Sequence, residues 1–264
     1  MDIICKKDEV IGNKILWRWV DIKGWYDIHN HMLPGVDDGA KDWKEAKNML
    51  KLAYQEGISN IIVTPHFNMK WKITPKEALL EYKKKLQEMA YEISEEYHIY
   101  LGNEIYYHHD AAEHLDQKKI FSLADSSYVL VEFSPVKEYE YIENALYQLQ
   151  IGGYMPILAH AERYECLRKN TENLADLVDR GIYIQVNASS IMKEASFLNK
   201  KFIRKLLDKD LVHFIGTDTH NLSNRPPLIK KCAHYIEKRY GKERVDRLLI
   251  HNPEQILRNK TIGT

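Results

Sequence analysis

Cysteine is scarce. Cys5, Cys166 and Cys232 are the only three among 264 residues, with no C-x-x-C pair. An odd, unpatterned set gives no basis for a disulfide framework or a zinc ribbon. Long apolar runs are missing as well: nothing reaches transmembrane length, so no membrane insertion is expected. The opening stretch, Met1-Asp2-Ile3-Ile4-Cys5-Lys6-Lys7-Asp8-Glu9, lacks the apolar region of a secretory signal. The cytoplasm is therefore the expected compartment. Net charge is absent too. The 38 basic and 38 acidic residues cancel, which argues against general nucleic-acid binding and leaves room for a local basic pocket.

What is present is an ordinary globular balance, with 44% apolar and 29% charged residues and enough chain to bury a substantial core. Residues 1–24 read as a small appendage. Val10–Leu16 is expected to form a hairpin around Gly12-Asn13, with Trp17 and Trp19 on one strand face packing on the main body. Residues 25–264 read as the main domain, in which strands and helices alternate. Strands are expected at Tyr26–His29, Asn60–Thr64, Ile99–Gly102, Tyr128–Val131, Met155–Ala159, Ile182–Val186 and Val212–Thr217. Helices are expected over Asp42–Glu56, with Asp42 as N-cap and Gly57 as stop, then Pro75–Tyr97, Glu138–Gln150, Asn173–Arg180 and Ser196–Lys209. Pro226–Tyr240, Lys242–His251 and Pro253–Arg258 complete the helical set. Seven such units imply a parallel sheet covered on both faces and suit a closed or nearly closed barrel. An open doubly wound sheet is the alternative, and the lack of a glycine-rich phosphate loop after the first strand counts against it.

The informative pattern lies at the strand ends. Asp27-Ile28-His29-Asn30-His31 places two histidines at a spacing that puts both imidazoles on one side of a strand. Pro34-Gly35 then turns the chain, and Asp37-Asp38-Gly39 brings carboxylates back. His66, Glu104, Glu132 and His160 follow strands two to five, and Asp218 and His220 follow strand seven. In a barrel these ends converge on one rim. Mixed imidazole and carboxylate suits zinc, manganese or iron. The donors are too many for one ion, and two or three ions sharing carboxylates account for the number. Such clusters clamp the oxygens of an in-line displacement, as in phosphoester hydrolysis. Arg163 and Arg225 follow His160 and His220 closely enough to reach the same rim, and guanidinium binds phosphate bidentately.

The ordered motifs D-I-H-N-H-M-L-P-G-V-D-D-G, T-P-H, G-N-E-I, V-E-F, L-A-H-A-E-R and G-T-D-T-H resemble the polymerase-and-histidinol-phosphatase (PHP) superfamily. The resemblance runs from about Gly24 to the C-terminus. Leu33–Gly39 and His160-Ala161-Glu162-Arg163 favour its bacterial manganese-dependent protein-tyrosine phosphatases of capsule and exopolysaccharide operons. The resemblance implies a distorted (β/α)7 barrel with a trinuclear metal site, manganese first, with iron or zinc as alternatives. It implies His29, His31, Asp38, His66, Glu104, Glu132, His160, Asp218 and His220 as ligands. Arg163 and Arg225 would hold the substrate phosphate, and His220 or a metal-bound water would serve as acid if one is needed. The implied substrate is the tyrosine-rich tail of a cognate membrane-associated tyrosine kinase. Two departures stand out: residues 1–24 are additional, and Phe67–Lys72 is more aromatic than the Gly- and His-containing loop expected there.

The Cys-x5-Arg loop of cysteine phosphatases is absent; Cys232 comes nearest, with Lys238 in the arginine position. His108 and His109 read as loop histidines, and His98, His114, His213, His234 and His251 as structural. Lys83-Lys84-Lys85 reads as a solvated helix face. The rival functions are a small-molecule phosphatase of the histidinol phosphate type, a PHP nuclease, and a non-catalytic metal-binding regulatory module. A broken ligand set would mark the last, and here every motif position is filled.

Overall fold

The computed structural model describes residues 5–11, 14–19, 24–71, 73–192 and 197–263. At the N-terminus β1 (Cys5–Ile11) and β2 (Lys14–Trp19) pair antiparallel with Ile11 opposite Lys14, so the expected hairpin is present. Its Gly12-Asn13 turn and the packing expected of the Trp17 and Trp19 side chains lie outside the described residues.

The main body is built on β3 (Trp25–Asp27), β4 (Ile58–Val63), β5 (His66–Phe67), β6 (His98–Leu101), β7 (Glu104–Tyr106), β8 (Tyr128–Glu132), β9 (Met155–Leu158), β10 (Tyr183–Asn187) and β11 (Phe214–Gly216). All of these pair parallel. β5 continues β4 after Thr64-Pro65, and β7 continues β6 after Gly102-Asn103. Seven strand positions thus stand side by side in chain order. The interruptions have a cause. Pro65 has no N–H to give the ladder, and its carbonyl instead accepts from Asn103 Nδ2 at 2.9 Å.

The circuit closes at the C-terminal rim. Asn30 bridges Thr219 in parallel, His31 N donates to Thr219 O at 2.9 Å and Asp218 N to His29 O at 2.8 Å. Below this, the Asp27 carboxylate accepts from both Thr217 N (2.9 Å) and Thr217 Oγ1 (2.6 Å). Side-chain and loop bonds replace a regular ladder at this seam, which is the distortion in the (β/α)7 barrel.

Period-two alternation divides the core. Ile62, Leu130, Ile157 and Phe214 share one buried cluster with Tyr128 and Ile256. Their neighbours Ile61, Val63, Val129, Val131, Leu158 and Ile215 join the larger cluster formed with the helices. The C-terminal helix Asn252–Arg258 contributes Ile256 to the first cluster. Tyr128 Oη donates to Lys260 O at 2.7 Å and anchors the chain beyond it.

The helix Trp43–Gln55 starts as expected, with Asp42 Oδ1 accepting from Glu45 N at 2.8 Å, and stops before Gly57 at φ +91°. The helix expected over Pro75–Tyr97 ends at Tyr91. The Gln87 side chain bonds Tyr97 O at 2.8 Å and Ile99 N at 2.7 Å, while fully buried Tyr97 donates to Leu50 O. Those bonds hold the segment in a turn feeding β6. The helix expected from Pro226 begins at Lys230, because Glu56 Oε2 receives Ile229 N and Lys230 N at 3.0 and 2.9 Å and caps it there.

Candidate metal centre

The strand ends deliver their polar side chains to one place. His29, His31, Glu104, His160, Asp218 and His220 are each at most 2% exposed. Glu104 is central. Its Oε2 lies 3.1 Å from His29 Nε2, 3.3 Å from His31 Nε2 and 3.1 Å from His66 Nδ1, and its Oε1 lies 2.8 Å from His160 Nε2. Glu132 stands 3.0 Å from His66 Nδ1. Asp38, on the exposed side, reaches His220 Nε2 at 3.3 Å and His66 Nε2 at 3.5 Å.

Three overlapping donor groups have all their ligand atoms within 4.8 Å of one another: His31, Asp38, His66 and His220; His29, His31, Glu104 and Asp218; and His66, Glu104 and Glu132. His160 falls outside these groups and reaches them through Glu104. Several of the buried donor atoms, among them His29 Nε2, His31 Nε2, Glu104 Oε2 and His220 Nε2, make no hydrogen bond of regular geometry. Buried polar atoms are costly when unpartnered, and these converge on shared space. The donor set fits divalent cations held by nitrogen and oxygen.

Local geometry explains the placement. Gly35 at φ +69° turns the loop, and its N–H bonds Ala40 O at 2.9 Å. A Cβ on Gly39 would stand 2.1 Å from His31 O, and one on Gly216 2.7 Å from His29 Cβ; both close approaches require glycine. His160 (φ +34°) and Asp218 (φ +53°) adopt the left-handed region, which histidine and aspartate enter more readily than most side chains. His160 is held there by its N–H to Gln185 Oε1 at 2.8 Å, and Asp218 by its N–H to His29.

Charge is balanced internally. Burial alone would raise the Asp218 carboxyl, but His29, His31 and Arg163 hold it well below the usual carboxylate range. Glu104 is likewise lowered, by His29, His160 and His31 against the effect of burial. Burial would lower His160, yet Glu104 and Glu132 raise it to about 9. Two cations border the cluster. Arg163 Nη2 lies 2.5 Å from Asp218 Oδ2, and Arg225 Nη2 lies 2.5 Å from Asp218 Oδ1. Both side chains remain partly exposed, at 40% and 35%.

Residues 25–258 match the family described as capsular polysaccharide synthesis, CpsB/CapC. The tyrosine-protein phosphatase CpsB of Streptococcus pneumoniae is 37% identical over 241 residues, spanning 89% of this chain and 99% of its own. The chain belongs to the CpsB/CapC family. The tyrosine-protein phosphatase YwqE of Bacillus subtilis is 33% identical, over 89% of this chain and 92% of its own. A crystal structure from work on YwqE and CpsB, there called metal-dependent tyrosine phosphatases, superposes with a TM-score of 0.82 at 34% identity. It covers 90% of this chain and 96% of the other. The barrel itself is more widely shared: an organophosphorus hydrolase variant from Deinococcus radiodurans superposes with a TM-score of 0.59 at 11% identity, over 89% and 93% of the two chains.

In this CpsB/CapC member the strand-end residues meet as expected, and four supporting residues join them. Asp37 Oδ2 accepts from His31 Nδ1 at 2.8 Å and from His66 N at 3.0 Å. Gln185 Oε1 accepts from His29 Nδ1 at 3.1 Å. Asn187 Nδ2 donates to Asp218 Oδ2 at 2.7 Å, and Glu162 Oε1 accepts from Asn187 N at 3.1 Å. The signal for Gln185 was a polar residue within the apolar run Ile182–Val186, and it is fully buried. His109 is exposed as expected. His213 is structural, its Nδ1 accepting from Ile184 N at 3.1 Å.

Proposed function

We propose that this chain is a metal-dependent phosphomonoesterase that hydrolyses phosphotyrosine in proteins. The observation that carries the reading is the set of three overlapping imidazole–carboxylate groups bordered by two half-open arginines, in a chain that matches CpsB of S. pneumoniae along nearly its whole length. The proposed ligands are His29, His31, Asp38, His66, Glu104, Glu132, His160, Asp218 and His220, holding two or three divalent ions, manganese first. Bound there, such ions lower the pKa of water and neutralise charge on phosphoryl oxygens.

The chain's own residues do the rest. Asp37 and Gln185 occupy Nδ1 of His31 and His29, which directs both Nε2 atoms into the cluster. His220 Nδ1 meets Asp218 O at 3.1 Å, fixing the same inward orientation. Asp218 tethers Arg163 and Arg225, so their free N–H groups are preorganised for equatorial phosphate oxygens. A phenolate leaves readily, so no dedicated general acid is required, and His220, with Nδ1 on Asp218 O and Nε2 turned into the cluster, is assigned to the metal shell. No serine or cysteine nucleophile is required; Cys232 is buried in a helix and its thiol is pushed far up by burial.

Catalysis is assigned to residues 25–264, with 1–24 as an appendage. The proposed protein substrate is a membrane-associated tyrosine kinase of a capsule or exopolysaccharide system, met in the cytoplasm. The family's capsular description supports this assignment. No helix among the described residues is long and apolar enough to cross a membrane. The test compares turnover of a phosphotyrosine peptide, a phosphoserine peptide and histidinol phosphate by the manganese-loaded protein. Preference for the first is expected. Preference for histidinol phosphate would replace this reading with the small-molecule one.

A further inference from the structure

The aromatic stretch after β5 forms an apolar surface beside the metal centre. Met69 and Trp71 are each 51% exposed and Ile73 is 45% exposed. Contiguous exposed apolar surface of this kind marks a place where something binds. The surface begins at the metal centre, where Trp71 meets His66 edge-on with ring centroids 5.3 Å apart. A small cavity there is lined by His66, Phe67, Trp71 and Ile73. A larger groove of about 590 Å³ continues from it, sharing Phe67, Ile73 and Thr74. Lys76, Lys118 and Lys119, with a single acid, Glu77, line this groove but not the cavity at His66, and both Lys118 and Lys119 are exposed. An apolar floor leading from a catalytic rim to a cationic end matches an extended peptide with acidic side chains.

We infer that this groove docks the polypeptide flanking the phosphotyrosine and selects an acidic segment on one side of it. The inference rests on the phosphatase reading above. Met69, Trp71 and Ile73 form the exposed surface against which the peptide lies, with Trp71 against His66 of the site that takes the phosphate. Lys118 and Lys119 face its acidic residues at the outer end and do not touch the reacting ester.

The experiment measures kcat/KM for wild type and the double variant Lys118→Glu/Lys119→Glu, both loaded with manganese. The substrates are phosphotyrosine peptides with three glutamates before or after the phosphotyrosine, the same peptides with glutamine, and p-nitrophenyl phosphate as a check on the metal centre. Wild type is expected to prefer one acidic peptide over its glutamine counterpart, through KM and in a salt-sensitive way. The charge reversal is expected to lower kcat/KM on that peptide about tenfold, the effect of a few screened charge pairs, with the glutamine peptides and p-nitrophenyl phosphate within about twofold of wild type. Equal kcat/KM on acidic and glutamine peptides by wild type overturns the inference while leaving the phosphatase reading intact. So does a loss in the variant that is equal on every substrate. No hydrolysis of any ester by wild type overturns the phosphatase reading, and this one with it.

Discussion

Asp37 Oδ2 stands 2.8 Å from His31 Nδ1 and, through its other oxygen, 3.0 Å from Gly39 N. One buried carboxylate thus sets both the ring orientation of His31 and the turn that returns Asp38 to the rim. Its carboxyl is held below the usual range: burial opposes this, and the adjacent His31 with the His66 and Gly39 N–H groups overcomes it.

Asp37→Asn is therefore expected to weaken metal binding about 10- to 100-fold, the usual effect of removing a partner that orients a ligand histidine. An amide supplies one acceptor oxygen where the native carboxylate uses two. Calorimetric manganese titration with a parallel thermal melt checks this. Unchanged affinity would show that His31 needs no external support.

Arg163→Lys and Arg225→Lys are expected to separate kinetically. Lysine keeps charge but loses the planar fork. Arg163 sits in the short turn Ala161–Arg163 directly after His160, with its N–H on His160 O at 2.8 Å. Its replacement should lower kcat about a hundredfold, or about 3 kcal/mol, as expected for a donor that tightens on developing charge. Arg225 closes the His220–Arg225 loop, its carbonyl accepting from His220 N at 3.0 Å, and its replacement should act more on KM. Steady-state kinetics on a phosphotyrosine peptide, with metal content measured alongside, decides. Wild-type constants in both variants would refute the phosphate clamp, and lost metal would reassign the arginines to support of Asp218.

The strand-end residues were legible because a parallel barrel forces every C-terminal end to one rim, so type and position together sufficed. Their supports were hidden. Asp37 and Asp38 are chemically identical neighbours, and only the folded turn sends one under His31 and the other outward. Asn187 ends a strand that supplies no candidate ligand, and its role depends on where Asp218 arrives from 31 residues away. The overlong helix to Tyr97 has a similar origin. Ala90, Ile93 and Tyr97 keep helical spacing, and the bonds that end the helix come from Gln87 and Leu50.

His213 is expected to make stability depend on pH. Burial pushes its imidazole down to about 4, with Asp210 and Arg247 acting in opposite directions. The bond from Ile184 N needs an unprotonated Nδ1. The unfolded residue titrates near about 6.5. Between these values the unfolded chain binds a proton that the folded chain refuses, so stability is full above about pH 6.5 and falls toward pH 4. The loss attributable to this residue is about 3 kcal/mol over that window. Denaturant unfolding of wild type and His213→Gln at pH 7 and pH 4.5 measures it. An identical pH dependence in the two would remove His213 from the acid response.

The most direct test joins metal content to turnover in one sample. The protein is stripped with chelator, dialysed, analysed for elements and assayed on a phosphotyrosine peptide, then reloaded with manganese. His31→Ala is carried in parallel with a thermal melt. The expected result is no turnover when stripped and recovery at two or three ions per chain. His31→Ala should stay folded yet bind less metal and turn over poorly, since its side chain serves the cluster more than the core. Full turnover by protein shown to contain no metal would contradict the account.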